Sequence, residues 1–101
     1  MECFVAIFED PSMTAADYDA ILTELESTGR LYNENRISHV AFERKGNWCV
    51  IDVWNSLESF QQFAENELKP IFKKLGLTPP PPSVLPAHSY MGAQSEHAVS
   101  V

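Results

Sequence analysis

The stretch from Asn47 to Leu75, NWCVIDVWNSLESFQQFAENELKPIFKKL, changes its hydrophobic period once. Over Trp48–Trp54 the side chains alternate: Cys49, Ile51 and Val53 on one parity, Trp48, Val50, Asp52 and Trp54 on the other. Alternation with a period of two is the mark of a strand with two different faces. From Leu57 onward the apolar residues Leu57, Phe60, Ala64, Leu68, Ile71 and Leu75 recur at three and four, the stripe of an amphipathic helix. Asn55 is placed to cap that helix, with Glu58 as its reciprocal partner. The simplest packing lays the stripe on the purely aliphatic face of the preceding strand. The face with two Trp and an Asp is then left uncovered, as a surface for a second copy of the chain.

The remaining elements arrange themselves around this unit. Glu2–Phe8 is apolar on both parities and reads as a central strand. Thr14–Gly29 reads as a helix, with Thr14 and Asp17 as a capping box, Met13 and Tyr18 as a staple, and Gly29 as the left-handed stop. Leu31–Asn35 is a polar loop. Arg36–Arg44 alternates again and joins the next strand through Lys45-Gly46 or Gly46-Asn47. Either turn puts Val40 and Phe42 on the side of Cys49, Ile51 and Val53, and His39 on the side of Trp48, Asp52 and Trp54. Pro70 predicts a kink or restart in the second helix, and Gly76 its end. Thr78–Pro82 is a stiff polyproline connector. Val84–Met91 reads as a last, edge strand containing Pro86, and Gln94–Val101 as a frayed tail. Residues 1–92 thus form one expected domain and 93–101 a tail. With right-handed crossovers the order β-α-β-β-α-β is α+β and ferredoxin-like: a four-stranded antiparallel sheet with two helices on one face.

Composition narrows the function classes. Seven Lys and Arg against fourteen Asp and Glu give a net charge of -7, which disfavours nucleic acid as a partner. No apolar run is long enough to span a membrane, and the first residues lack the basic region of a signal peptide, so a cytoplasmic location is expected. Cys3 and Cys49 fall inside strand patterns without a CxxC, and read as reduced, buried thiols.

The pattern resembles the dimeric α/β-barrel superfamily, and within it the antibiotic-biosynthesis-monooxygenase-like proteins. The residues that carry the resemblance are Ile37–Ala41, Val50–Ser56 with its strand-to-helix junction VWNS, and Glu58-Ser59-Phe60 followed by Phe63. The resemblance covers roughly Cys3 to Gly92. It implies a homodimer whose sheets face each other, and a lumen between sheet and helices that takes hydrophobic substrates. Some members oxidise quinol-like or polyketide substrates with oxygen and no cofactor. The haem-degrading branch uses a first-strand Asn with a Trp and a His on the second helix. Here those helix positions hold Phe63 and Lys73, and the first strand has no Asn, so haem degradation is not implied.

Two residues are candidates for acid–base chemistry. His39 is the one imidazole inside a well-defined strand pattern, and Asp52 lies on the same face of the partner strand, able to orient and charge-stabilise it. The same pair also suits a structural role at a dimer interface. Trp48, Trp54, Phe63, His88 and Tyr90 are candidates to contact a substrate, with interface or edge-strand packing as the alternative for the Trp pair and for His88 and Tyr90. His39, His88 and His97 have no metal-ligand spacing, and no metal or cofactor is expected. Two functions stay open: a cofactor-free monooxygenase-like enzyme acting on a hydrophobic aromatic or polyketide-like metabolite, and a non-catalytic dimeric ligand-binding or accessory module.

Overall fold

The computed structural model describes residues 2–92; the expected tail, with His97, lies outside them. Strands β1 (Phe4–Asp10), β2 (Arg36–Arg44), β3 (Asn47–Trp54) and β4 (Ser83–Pro86) form one antiparallel sheet in the order β2-β3-β1-β4. Helix α1 (Ala15–Ser27) joins β1 to β2. The second helical arm joins β3 to β4 in three pieces: α2 (Leu57–Phe63), a π-helical segment (Ala64–Leu68) and α3 (Lys69–Leu75). Both arms pack on the same sheet face, where Ile21 and Leu25 of α1 meet Phe60, Phe63, Ile71 and Phe72 over Ala6 and Trp54. This is the expected ferredoxin-like α+β arrangement.

Local chemistry explains most element boundaries. The Thr14 side chain accepts from the Asp17 N–H while the Asp17 carboxylate accepts from the Thr14 N–H, the expected capping box. Lys45 and Gly46 both have positive φ, 51° and 82°, the backbone of a two-residue hairpin turn of type I′. That choice sets the β2–β3 register, in which His39 faces Asp52 and Val40 faces Ile51. The second arm is capped by Ser56, whose hydroxyl accepts from the Ser59 N–H, and not by Asn55. Asn55 instead donates its backbone N–H to Asn35 O, extending the sheet by one rung.

The expected kink at Pro70 is a π segment just before it. The Lys69 N–H reaches back five residues to Ala64 O. A regular helix would drive the Pro70 ring into the carbonyl four residues earlier, and a widened turn relieves that clash. The extra residue also shifts the helical phase, so the buried set is Phe60, Phe63, Ile71 and Phe72 and not the evenly spaced stripe alone. The last strand is shorter than expected, ending at Pro86, so His88 and Tyr90 lie beyond it. The proline run lies outside any helix or strand.

The largest departure concerns which sheet face is covered. The helices lie on the Trp48, Val50, Asp52 and Trp54 side, together with Phe8 and Ala6 of β1. Trp54 is 0% exposed and packs against Phe60 and Phe63, at ring-centroid distances of 5.8 and 5.4 Å. The aliphatic face is the open one. Val40 and Leu85 are 52% and 53% exposed there, Phe42 is exposed, and Val5, Ile7 and Ile51 are half-buried. The reason is area and shape. Aromatic rings carry more surface to bury than Cys, Val and Ile, and they mesh edge-to-face with the Phe-rich helical stripe. The two cysteines are buried and unbridged, yet stand apart from this main core.

Removing Phe60 or Trp54 as core side chains is expected to cost about 3–5 kcal/mol each, as Phe60→Ala and Trp54→Ala. Urea unfolding measures this. A loss below about 1 kcal/mol for Trp54→Ala would mean that its face of the sheet is not the covered one.

Candidate functional site

Between the sheet and the two helical arms lies a cavity of about 170 Å³. Its wall is mostly apolar, built from Met13, Leu22, Leu31, Phe63, Leu68 and Phe72, with Trp48 and Val50 from β3. An engineered apolar cavity of about 150 Å³ admits benzene, so this space is on the scale of one aromatic ring.

A chain of three hydrogen-bonded side chains stands at one end. His39 Nδ1 and Asp52 Oδ1 are in hydrogen-bond contact, and His39 Nε2 lies 2.6 Å from the Tyr18 hydroxyl. With Asp52 ionised, Nδ1–H donates to the carboxylate. Nε2 is then the free base position and accepts from the Tyr18 O–H. Asp52 is only 5% exposed, whereas the His39 side chain keeps 30% of its surface in solvent, so the chain runs from the buried sheet to the cavity mouth. A buried carboxylate without partners would be costly, and the imidazole supplies the missing hydrogen bond. Burial raises the pKa of Tyr18 above its ordinary value, the Asp52 charge adds to that, and the Arg36 guanidinium opposes it. Tyr18 therefore keeps its proton to higher pH than an unperturbed tyrosine. Its ring lies 5.2 Å from that of Trp48, which closes the same end.

Two further polar groups line the cavity. Asp10 is buried and accepts from the Ser12 N–H and hydroxyl at 2.8 and 2.7 Å. Arg36 donates from Nη2 to Leu31 O at 2.6 Å and lies over the rings of Trp54 and Phe63.

Of the residues singled out in the sequence, His39, Asp52, Trp48 and Phe63 meet at this cavity. Trp54 sits in the core beside it and does not line it. His88 and Tyr90 are exposed and do not reach it. Tyr18 was legible only as an apolar staple residue. Its position four residues into a helix that crosses over the His39 strand is the signal that places its hydroxyl here. Among the described residues no group of three or more His, Cys, Asp or Glu side chains is arranged to hold a metal ion, and no helix is long and apolar enough to cross a membrane.

Comparison with known proteins extends the fold and not the chemistry. No protein-family model matches the chain, and no curated protein sequence matches it significantly. Among solved structures it is similar to a conserved protein from Methanosarcina mazei Go1, with a TM-score of 0.57 and 12% sequence identity over 89% of this chain and 95% of that one. It is also similar to Rv0793 from Mycobacterium tuberculosis, with a TM-score of 0.54 and 14% identity over 92% and 98% of the two chains. At these identities the shared property is the fold: a small α+β protein with a four-stranded antiparallel sheet.

A pH prediction follows from Tyr18. A raised pKa means that the folded chain holds this proton more tightly than the unfolded chain. The corresponding stability is complete below the unfolded value near 10 and is lost as pH rises through the higher folded value. Tyr18→Phe is expected to lose less stability than the wild type between about pH 9 and 11, measured by urea unfolding at each pH. Identical slopes would mean that Tyr18 titrates alike in both states.

Proposed function

We propose that this chain is a small-molecule protein of the antibiotic-biosynthesis-monooxygenase-like type, with His39 as the acid–base group for an aromatic or polyketide-like metabolite. One observation carries this reading: the Asp52–His39–Tyr18 chain ends at the mouth of a ring-sized apolar cavity. A phenolic or enolic hydroxyl entering beside Tyr18 gives its proton to His39 Nε2, directly or through the Tyr18 hydroxyl. Asp52 stabilises the resulting imidazolium. The phenolate or enolate is electron-rich enough to reduce dioxygen. One oxygen atom then bonds to the activated carbon, and the other leaves as water with the substrate's hydroxyl hydrogen and that carbon's hydrogen, giving a quinone from a phenol or a 1,2-dicarbonyl from an enol. Trp48 and Phe63 flank the ring.

A second reading has its own support. Tyr18 already occupies the base position of His39, an arrangement that suits a binding protein which recognises a hydroxyl without turning it over. Oxygen uptake separates the two readings.

We further propose that a second copy covers the aliphatic sheet face, with the same patch used by both subunits. The support is the run of exposed Val40, Phe42 and Leu85 beside Val5, Ile7 and Ile51, a continuous apolar surface of the kind that marks interaction sites.

Phloroglucinol, an electron-rich phenol with free ring carbons, is a direct probe. By calorimetry His39→Asn, which keeps a side-chain N–H for the buried Asp52, should weaken its binding about tenfold, the loss of one good hydrogen bond, in a variant that still folds. Unchanged affinity in a folded variant would remove His39 from the site. Binding by the wild type without oxygen uptake would favour the binding protein. Sedimentation at micromolar concentration should show a dimer, converted to monomer by Phe42→Glu. A monomeric wild type would refute the interface.

A further inference from the structure

We infer that the cavity selects a ring carrying an acid group as well as a hydroxyl, and that Arg36 is the residue that recognises the acid. This rests on the reading of the cavity as a small-molecule site and adds the class of ligand.

The argument begins with a break in the sheet. Arg36 and His39 are three residues apart, so strict alternation would put them on opposite faces. The β2–β3 register skips Ile37: Arg36 pairs with Trp54 and Ser38 with Val53. This bulge turns Arg36 onto the cavity side beside His39, and bulges commonly re-aim a side chain in this way. The turn before it is built to hold the bulge, since Asn33 accepts through Oδ1 from the Asn35 N–H and through its carbonyl from the Arg36 N–H.

Arg36 is then a half-buried guanidinium among aromatic rings, with one donor spent on Leu31 O. Among the described residues no carboxylate lies within ion-pair distance of it. In a chain with fourteen Asp and Glu and seven Lys and Arg, an available carboxylate would be easy to supply. The two carboxylates in the cavity wall are engaged elsewhere, Asp52 with His39 and Asp10 with Ser12. A half-buried cation with unused donors in a fork geometry is suited to a carboxylate.

Arg36, His39 and Tyr18 line one cavity. The partners of Arg36 and His39 on β3, Trp54 and Asp52, are two residues apart, roughly 6.6 Å along the strand. A ring held at this wall presents its hydroxyl to Tyr18 and His39 and its acid to Arg36.

The test is calorimetric titration of the full chain with 4-hydroxybenzoate and with its uncharged counterpart 4-hydroxybenzamide. The wild type should bind the acid at least about tenfold more tightly, as expected for a charge-assisted hydrogen bond in a sheltered site. Arg36→Gln should abolish the preference, weakening the acid by about tenfold more than the amide. Arg36→Lys, which keeps the charge should the Gln variant fold poorly, should retain part of it. Equal binding of acid and amide by the wild type, or a preference that survives in folded Arg36→Gln, overturns the assignment of Arg36 and leaves the cavity reading standing. Failure of both compounds to bind overturns the two together.

Discussion

The packing of Trp54 against Phe60 and Phe63 is the constraint on which the rest of this structure depends. Trp54 ends β3 immediately before the cap of the second helical arm, and its ring is withdrawn completely from solvent. Once that ring is under the helices, alternation carries every second residue of β3 with it. Asp52, Val50 and Trp48 turn inward, while Val53, Ile51 and Cys49 turn outward. The antiparallel pairing passes the choice to the neighbours, so His39 and Ala6 face the helices and Val40, Val5 and Leu85 face away. One aromatic contact therefore decides both where a cavity can form and which face is left apolar and bare.

The same choice places a carboxylate under the helices, and this needs compensation. Burying Asp52 alone would be unfavourable by several kcal/mol. His39 supplies a hydrogen bond on one side, and Tyr18, reaching down from α1, fixes the other nitrogen of the imidazole. Each group in the chain limits the next: the carboxylate sets the tautomer, the tautomer sets the direction of the tyrosine proton, and burial makes the tyrosine hold that proton to higher pH. Such a network is fully satisfied only in one geometry. It therefore fixes the relative positions of α1, β2 and β3 at this end of the cavity.

Much of this was legible in the residues. Periods of two and 3.6 marked the elements, the Thr14–Asp17 box and Lys45-Gly46 set boundaries and register, and facing parity brought His39 to Asp52. The covered face was not legible, because both faces of β3 are largely apolar and alternation distinguishes faces without ranking them. Ranking them needs the partner: the helical arm offers Phe60, Phe63 and Phe72, which mesh with Trp more favourably than with Val and Ile. Tyr18 was hidden for a related reason. Its ring serves as a staple in the local pattern, and only the crossing of α1 over β2 gives its hydroxyl a partner. His88 and Tyr90 fall in the expected last strand, but that strand stops at Pro86, and only the Ala87 N–H to Cys3 O adds a further rung before the chain leaves the sheet.

Two irregularities hidden from periodic reading flank the cavity. The bulge at Ile37 shifts β2 by one residue and brings Arg36 to the inner face. The π segment shifts the second arm by part of a turn, so that Phe63 before it and Leu68 at its end both line the cavity. Neither strengthens the fold, since a bulge gives up ladder pairing and a π turn has poorer hydrogen bonds than an α-helix. Both have a local cause, the Asn33 turn in one case and Pro70 in the other. Both place ring-contacting or charged side chains where a regular strand and helix would not. A chain this small has little stability to spare, and both departures shape the wall of the same cavity.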